Sequence, residues 1–196
     1  MDTTVADATA STAAPAGGYE GAYIAHLWEY PNLCVAIFGV QFHTPEGQQR
    51  YGMSGITEEM YPALEAAKSV GFLHQEVSLT EQSGTLFQYW RSYEELDRWA
   101  RTLPHMRWWR WLVENAGDDV SFYHEIYQVK KAEAIYEKGC RPVGAALFTT
   151  TSQVGAGEAF MWGWLEVEPP HDIRDLVLFF SRNANAKDSQ ALRAQT

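Results

Sequence analysis

The fold is determined by residues 85–129, TLFQYWRSYEELDRWARTLPHMRWWRWLVENAGDDVSFYHEIYQV, which are predicted to form a strand, two helices and another strand in succession. Residues 85–90 are aromatic and β-favouring and follow a Ser-Gly turn signal, which predicts a strand. Five of the eight tryptophans of the chain lie in residues 90–111. The stretch therefore combines regular structure with titratable groups set among aromatic side chains.

Two helices are predicted inside this stretch. Ser92 occupies an N-cap position and Glu95 follows three residues later, which is the capping-box arrangement. Apolar residues then recur at helical spacing until Pro104, which ends the helix because it lacks an N–H and clashes with the preceding turn. A second helix is predicted to begin near His105 and to end at Gly117.

The last strand of the stretch, residues 120–129, alternates between two faces. One side carries Val120, Phe122, His124 and Ile126, and the other carries Tyr123, Glu125 and Tyr127. His124 is therefore expected to project from the middle of an apolar face.

Upstream of this stretch the chain predicts two more strands and one more helix. Residues 34–42 (CVAIFGVQF) are a continuous apolar run of strand length, followed by a predicted polar loop with Pro45 and Gly47. Residues 57–70 have helical periodicity, and residues 72–80 alternate, with His74 and Glu76 on the polar, solvated side. The order βαββαβ is that of the ferredoxin-like α+β unit, in which an antiparallel sheet carries helices on one face.

The second face of this sheet is expected to be covered. Three of the four strands carry apolar side chains on both faces, whereas a sheet with one face in water shows a polar side. We predict a homodimer in which the sheets of two subunits face each other as a dimeric α+β barrel. The alternative is that the C-terminal third of the same chain covers this face.

The chain of 196 residues is long enough for one domain with a sizeable core, predicted at residues 23–150. Residues 1–22 are predicted to be a disordered tail, because residues 1–18 are rich in Ala, Thr, Gly and Pro and lack the basic start and apolar run of a signal peptide. Residues 151–196 are predicted to pack on the domain through the apolar runs FMWGWLEV and LVLFF and to end in a polar tail.

Composition excludes several classes of protein. A formal net charge of -10 argues against nucleic-acid binding, which depends on clustered Lys and Arg. Two cysteines, Cys34 and Cys140, cannot form a disulfide framework or a multi-thiolate metal site. No apolar run approaches the ~20 residues that cross a bilayer. We expect a cytoplasmic protein with no structural metal and no membrane partner.

Three motifs, QYWRS at residues 88–92, HEIYQV at 124–129 and EAIY at 133–136, resemble those of domain-of-unknown-function family 4188. The resemblance covers residues 35–147. That family is similar to dimeric α+β-barrel monooxygenases and, more distantly, to haem-containing aldoxime dehydratases, which implies the same fold and a small-molecule enzyme. Tyr123, Ile126 and Cys140 depart from the family pattern, so the resemblance does not carry over a substrate.

The residues themselves point to an apolar pocket lined by Trp and Phe, the usual form of a small-molecule site. His124 is the candidate working residue, because apolar surroundings favour a neutral imidazole, which suits a general base or a metal ligand. The alternative is a core histidine that forms a hydrogen bond with Gln88 or Tyr89 on a neighbouring strand.

The leading hypothesis is a cofactor-independent monooxygenase that acts on an aromatic or polycyclic substrate of the secondary-metabolite type. His124 would act as general base, the resulting anion would give an electron to dioxygen, and Gln88 would stabilise the oxyanion. The same pocket could instead catalyse a redox-neutral cyclisation or dehydration. The predicted substrate-binding residues are Tyr89, Trp90, Trp109, Phe122 and Tyr127.

Two further hypotheses stay open. His124, or else His74 or His105, could be an axial ligand to haem in an enzyme of the aldoxime-dehydratase type. The chain could also be a non-catalytic protein that binds an aromatic ligand. We expect no cofactor under the leading hypothesis.

Overall fold

The computed structural model describes residues 17–154, so the predictions for residues 1–16 and 155–196 lie outside the described part of the chain. Eleven helices and strands follow one another there. In chain order they are β1 (Ala22–Ala25), β2 (Cys34–Phe42), α1 (Pro45–Gly52), α2 (Ile56–Ala67), β3 (Phe72–Leu79), β4 (Ser83–Trp90), α3 (Tyr93–Ala100), α4 (His105–Asn115), β5 (Val120–Gln128), β6 (Ile135–Tyr136) and β7 (Thr151–Val154).

The main sheet has four antiparallel strands in the order β3-β4-β2-β5. This is the ferredoxin-like arrangement, and the predicted α+β fold with an antiparallel sheet is confirmed. On β2, Phe38 lies opposite Leu86 of β4 on one side and His124 of β5 on the other. β5 is therefore an edge strand, and β2 separates it from β4.

The core lies between this sheet and the helices. Cys34 and Ala36 of β2 and Trp90 of β4 are fully buried against Leu64 of α2 and Leu96 of α3. Since side chains alternate along a strand, the even-numbered residues of β2, β4 and β5 share this helix-covered face. The positions of the candidate site residues on these strands follow from this alternation.

The two helices predicted within residues 85–129 are confirmed. The Ser92 side chain accepts a hydrogen bond from the Glu95 N–H at 3.2 Å and so caps α3. α3 ends at Ala100, before the cis Leu103–Pro104 peptide bond, and α4 begins at His105.

The predicted polar loop with Pro45 and Gly47 is wrong, because these residues begin helix α1. Thr44 is its N-cap and accepts a hydrogen bond from the Gly47 N–H at 3.0 Å, while proline occupies the first helical position. The helix consists mostly of polar residues, so hydrophobic periodicity gives no signal for it. The signals for this helix in the sequence are the N-cap residue Thr44 and the proline that follows it.

A second, three-stranded sheet was not predicted. Its order is β6-β1-β7, and its strands contain two to four residues each. Ile24 of β1 lies opposite Ile135 of β6 and Ser152 of β7. The sheet therefore joins residues from both sides of the predicted boundary at position 150.

The second face of the main sheet is covered in part by the same chain. The N–H of Gly144, which begins a 3-10 turn, donates a hydrogen bond to Glu76 at 2.8 Å, and Phe148 packs on Tyr89 with ring centroids 5.0 Å apart. His74 and Glu76 form a half-buried pair at 3.0 Å, so their expected solvation is wrong. Tyr127, on β5, stays 50% exposed on this face. The predicted homodimer would cover that side.

No helix within residues 17–154 is long and apolar enough to span a membrane. Both cysteines are free thiols, and Cys34 is fully buried. Burial raises the pKa of the Cys34 thiol to about 11, which keeps it protonated. Cys34 is therefore a packing residue of the core.

Candidate functional site

A cavity of about 360 Å³ lies between the helix-covered face of the main sheet and the helices. This volume falls in the usual range for small-molecule sites, and the walls are mostly apolar. Four helices and four strands contribute to it. Its apolar walls include Phe38, Tyr51, Ile56, Met60, Leu86, Trp99, Trp108, Trp109, Leu112 and Phe122, and its polar groups include Gln75, Gln88, His105 and His124.

His124 reaches this cavity from β5. Its imidazole stacks on the indole of Trp109, with centroids 5.0 Å apart and planes inclined by 26°. The ring of Phe38 meets it edge-on at 6.0 Å. The side chain is exposed rather than buried, which corrects the expected apolar enclosure, because β5 is an edge strand with no neighbour on its outer side.

The alternative hydrogen bond from His124 to Gln88 or Tyr89 is not formed. Both residues belong to β4, and β2 lies between β4 and β5. This separation follows from the predicted ferredoxin-like fold as a whole and has no local signal in the sequence.

His105 is the second imidazole at the cavity. It begins α4, and its Nδ1 lies 2.8 Å from the carbonyl oxygen of Ala100. A carbonyl only accepts hydrogen bonds, so Nδ1 carries the hydrogen and Nε2 has a free lone pair in the neutral ring. The ring packs beside Trp99 and Trp108, with centroids 5.1 and 6.2 Å away, and these two indoles also contact each other.

Burial lowers the pKa of His105 below its ordinary value of 6.5, and the neighbouring His124 lowers it further, while the bond to Ala100 acts in the opposite direction. His105 is therefore neutral at physiological pH. Sequence reasoning considered it only as an alternative haem ligand. The sequence signal for His105 as a site residue is its position directly after Pro104, at the start of a helix rich in tryptophan.

Gln88 is 4% exposed and belongs to a short polar chain at the cavity wall. The Trp90 indole N–H donates to Gln88 Oε1 at 3.2 Å, and Gln88 Nε2 donates to Gln75 Oε1 at 2.8 Å. An indole N–H can only donate, so it fixes the orientation of both amides. The amide hydrogens that remain on Gln88 and Gln75 have no protein partner within the described residues. Gln75, which sequence reasoning missed, is the cross-strand neighbour of Gln88.

The structure brings together some of the predicted site residues and separates others. Trp109 and Phe122 line the cavity in an edge-to-face contact at 5.2 Å. Trp90 is fully buried in the core, outside the cavity wall. Tyr89 and Tyr127 lie on the opposite face of the sheet, because adjacent residues on a strand point to opposite sides. The cavity therefore unites His124, Gln88, Trp109 and Phe122.

Glu59 of α2 fixes the position of α4 at the cavity wall. Its Oε2 accepts a hydrogen bond from the Trp108 indole at 2.9 Å and pairs with Arg107. The bond from Trp108, followed by that from Arg107, holds the pKa of Glu59 below its ordinary value despite some desolvation. This carboxylate holds the Trp108 wall in place.

Residues 17–154 contain no group of three or more His, Cys, Asp or Glu side chains that could hold a metal ion. Haem requires only one axial ligand from the protein, so a single histidine is sufficient. His105 has the feature of such ligands, since its Nδ1–H donates to a backbone carbonyl and leaves Nε2 available.

The family model described as monooxygenase af470-like matches residues 33–144, the part of the chain that forms the main sheet, its helices and the turn at Gly144. This confirms the monooxygenase-like character expected from the motifs. No curated protein matches the chain significantly.

Several solved structures are similar to the chain. SnoaB, a cofactor-independent oxygenase from Streptomyces nogalater, has 10% identity and a TM-score of 0.35 over 52% of this chain and 96% of its own. Aldoxime dehydratase OxdRE, in complex with butyraldoxime, has 18% identity and a TM-score of 0.49 over 74% of this chain and 45% of its own. A conserved protein from Methanosarcina mazei has 17% identity and a TM-score of 0.38 over 52% of this chain and 98% of its own.

Proposed function

The chain belongs to the monooxygenase af470-like family, and from this premise we propose that it is a cofactor-independent monooxygenase acting on a flat aromatic or polycyclic substrate of the secondary-metabolite type. The observation that carries the proposal is the apolar cavity in which the imidazole of His124 stacks on Trp109. Such a cavity accommodates a planar ligand and presents a proton acceptor to it.

The reaction would begin when His124 takes a proton from an acidic C–H or O–H group of the substrate. The delocalised anion then transfers an electron to dioxygen, and the two radicals combine to form a carbon–oxygen bond. The free amide hydrogens of Gln88 and Gln75 would donate to the oxyanion. Trp109 and Phe122 would hold the aromatic ring and keep water away from it.

The test is oxygen uptake by the purified protein with anthrone, a tricyclic compound whose methylene group loses a proton to give an aromatic phenolate. His124→Ala is expected to lower the rate about 100-fold or more, the usual contribution of a general base. The matched control is His43→Ala, because His43 is an exposed histidine whose Nε2 lies 2.9 Å from Ser121 Oγ, outside the cavity wall.

Two results would contradict the proposal. Equal oxygen uptake by a folded His124→Ala variant would remove His124 from the role of base. Conversion of the substrate without oxygen uptake would replace the oxygenase with a redox-neutral cyclase or dehydratase.

Haem binding is the second candidate, favoured by the hydrogen bond from His105 Nδ1 to Ala100. His105 Nε2 would hold the iron, which would supply Lewis-acid and redox chemistry, and His124 would hold or accept a proton on the cavity side. The test is an absorption spectrum during titration with hemin. A stoichiometric Soret band that is lost in His105→Asn or in His124→Ala would establish haem binding through that histidine, whereas a protein that does not bind hemin would eliminate this candidate.

A further inference from the structure

The cavity presents two imidazoles with different surroundings. His124 is exposed on the edge strand β5, whereas His105 is half-buried against Trp99 and Trp108 at the start of α4. An oxygenase that needs a single base leaves one of them without a role.

The neutral tautomer of His105 is fixed by geometry. Its Nδ1–H donates to Ala100, and the two indoles hold the ring in place. The free lone pair therefore belongs to Nε2, for which the described residues offer no hydrogen-bond donor. A half-buried acceptor with no protein donor can take a proton from a ligand in the cavity.

We propose that His105 is the second proton acceptor of this cavity and takes the proton released when the oxygen–oxygen bond of the substrate peroxide breaks. The inference rests on the proposed oxygenase function. It assigns His105 to the conversion of the peroxide into the product, whereas His124 serves the preceding reaction with dioxygen.

The proposed reaction balances as the conversion of a methylene group and dioxygen into a ketone and water. His124 takes the first C–H proton, the carbanion forms a carbon–oxygen bond with dioxygen, and protonated His124 returns the proton to the peroxide anion. The second C–H bond then breaks toward His105 Nε2, its electron pair forms the carbonyl, and the oxygen–oxygen bond breaks to release hydroxide. That hydroxide takes the proton from His105 and leaves as water. The carbon loses four electrons and dioxygen gains four.

Electrostatics favours this order of events. A positive charge on His124 disfavours one on His105, so His105 accepts its proton more readily once the first proton has left the cavity histidine beside it. His124 is neutral again before His105 accepts its proton. The two proton transfers are therefore compatible within one apolar cavity.

His105→Asn is the discriminating variant. The asparagine amide N–H corresponds in position to Nδ1–H and can keep the hydrogen bond to Ala100, while the acceptor at Nε2 is removed. A merely structural role would therefore be conserved in this variant. His43→Asn is the matched control for the loss of a histidine outside the cavity.

The experiment measures oxygen uptake and ketone formation separately in a single turnover with anthrone. We expect His105→Asn to take up oxygen at close to the wild-type rate, to form the ketone about 100-fold more slowly, and to accumulate the hydroperoxide. Ketone formation at the wild-type rate in His105→Asn would overturn the role of His105 alone. A wild-type protein that takes up no oxygen would overturn the proposed function, and the role of His105 with it.

If His105→Asn does not fold, a measurement on the wild-type protein without substrate tests the proposal. Long-range ¹⁵N–¹H correlation spectra of the wild-type protein should show His105 with a protonated Nδ1 and an unprotonated Nε2. A hydrogen on Nε2 at neutral pH would remove the acceptor and overturn the proposal without any variant.

Discussion

The imidazole of His124 and the indole of Trp109 lie nearly parallel, 5.0 Å apart between centroids and inclined by 26°. The contact joins the edge strand β5 to α4 at the cavity wall. It restricts rotation of an exposed imidazole that has no hydrogen-bond partner in the described part of the chain. One tryptophan therefore serves both as the wall of the cavity and as the support of its candidate base.

Replacement of Trp109 is expected to weaken both roles. Trp109→Leu should lower the affinity for anthrone about 2- to 10-fold, the equivalent of an aromatic pair contact of ~0.5–1.5 kcal/mol, whereas Trp109→Phe should retain most of it. Calorimetric titration measures the change. The control is Trp28→Leu, since Trp28 is a comparably exposed tryptophan that stacks on His26 outside the cavity wall. An unchanged affinity in Trp109→Leu would place the ligand elsewhere.

Two glycines of α1 are expected to respond in opposite directions to alanine. A Cβ at Gly47 would lie 2.3 Å from the backbone oxygen of Asp119, so Gly47→Ala must shift the backbone and should destabilise the fold by ~1–3 kcal/mol. A Cβ at Gly52 meets nothing within 4 Å, so Gly52→Ala should be neutral or slightly stabilising. Urea denaturation compares the two. Equal effects would show that α1 does not pack against the start of β5 as described.

His105 makes the stability of the fold dependent on pH. Above its ordinary pKa of 6.5 the imidazole is neutral in both states, so it has no effect. As the pH falls below 6.5, His105 is protonated in the unfolded chain but stays neutral in the folded chain. The free energy of unfolding therefore decreases until the folded imidazole is protonated as well. Denaturation midpoints at about pH 7.5 and 5.5 should differ less in His105→Asn than in the wild type. An identical difference would contradict the lowered pKa.

The exposed side of the second sheet face is predicted to bind a second copy of the chain. Light scattering should give twice the monomer mass of 22.2 kDa. Tyr127→Lys would place a charge where Tyr127 is 50% exposed and should shift the protein toward the monomer, because two such charges would meet across a symmetric interface. The control is Tyr93→Lys at the start of α3, where the side chain is 40% exposed and lies outside the cavity wall. A wild-type monomer would contradict the dimeric barrel.

The main sheet could be predicted from the sequence because its signals are local. The run 34–42 became β2 with the predicted bounds, and Ser92 caps α3 as its spacing to Glu95 indicated. Strand order is not local, and it determines both the exposure of His124 and its distance from Gln88. The small sheet was missed for the same reason, since β1 pairs with residues more than 100 positions away.

The composition of the cavity was only partly predictable. Gln88, Tyr89 and Trp90 are predicted from the sequence to belong to one site, yet alternation places Tyr89 on the opposite face from Gln88 and Trp90. This separation could have been derived from the sequence. The fixed tautomer of His105 could not, because it depends on the carbonyl of Ala100 at the end of the preceding helix.

The pairing of β1 with β7 brings the beginning and the end of the described chain into one sheet, with Ala22 opposite Val154 and Ala25 opposite Thr151. This pairing sets an order of events during synthesis on the ribosome. The four-stranded sheet can close once residue 128 has left the exit tunnel, whereas β1 has only the two residues of β6 as a neighbour until residue 154 follows. Among the strands within residues 17–154, the first to be made is therefore the last to be fully paired.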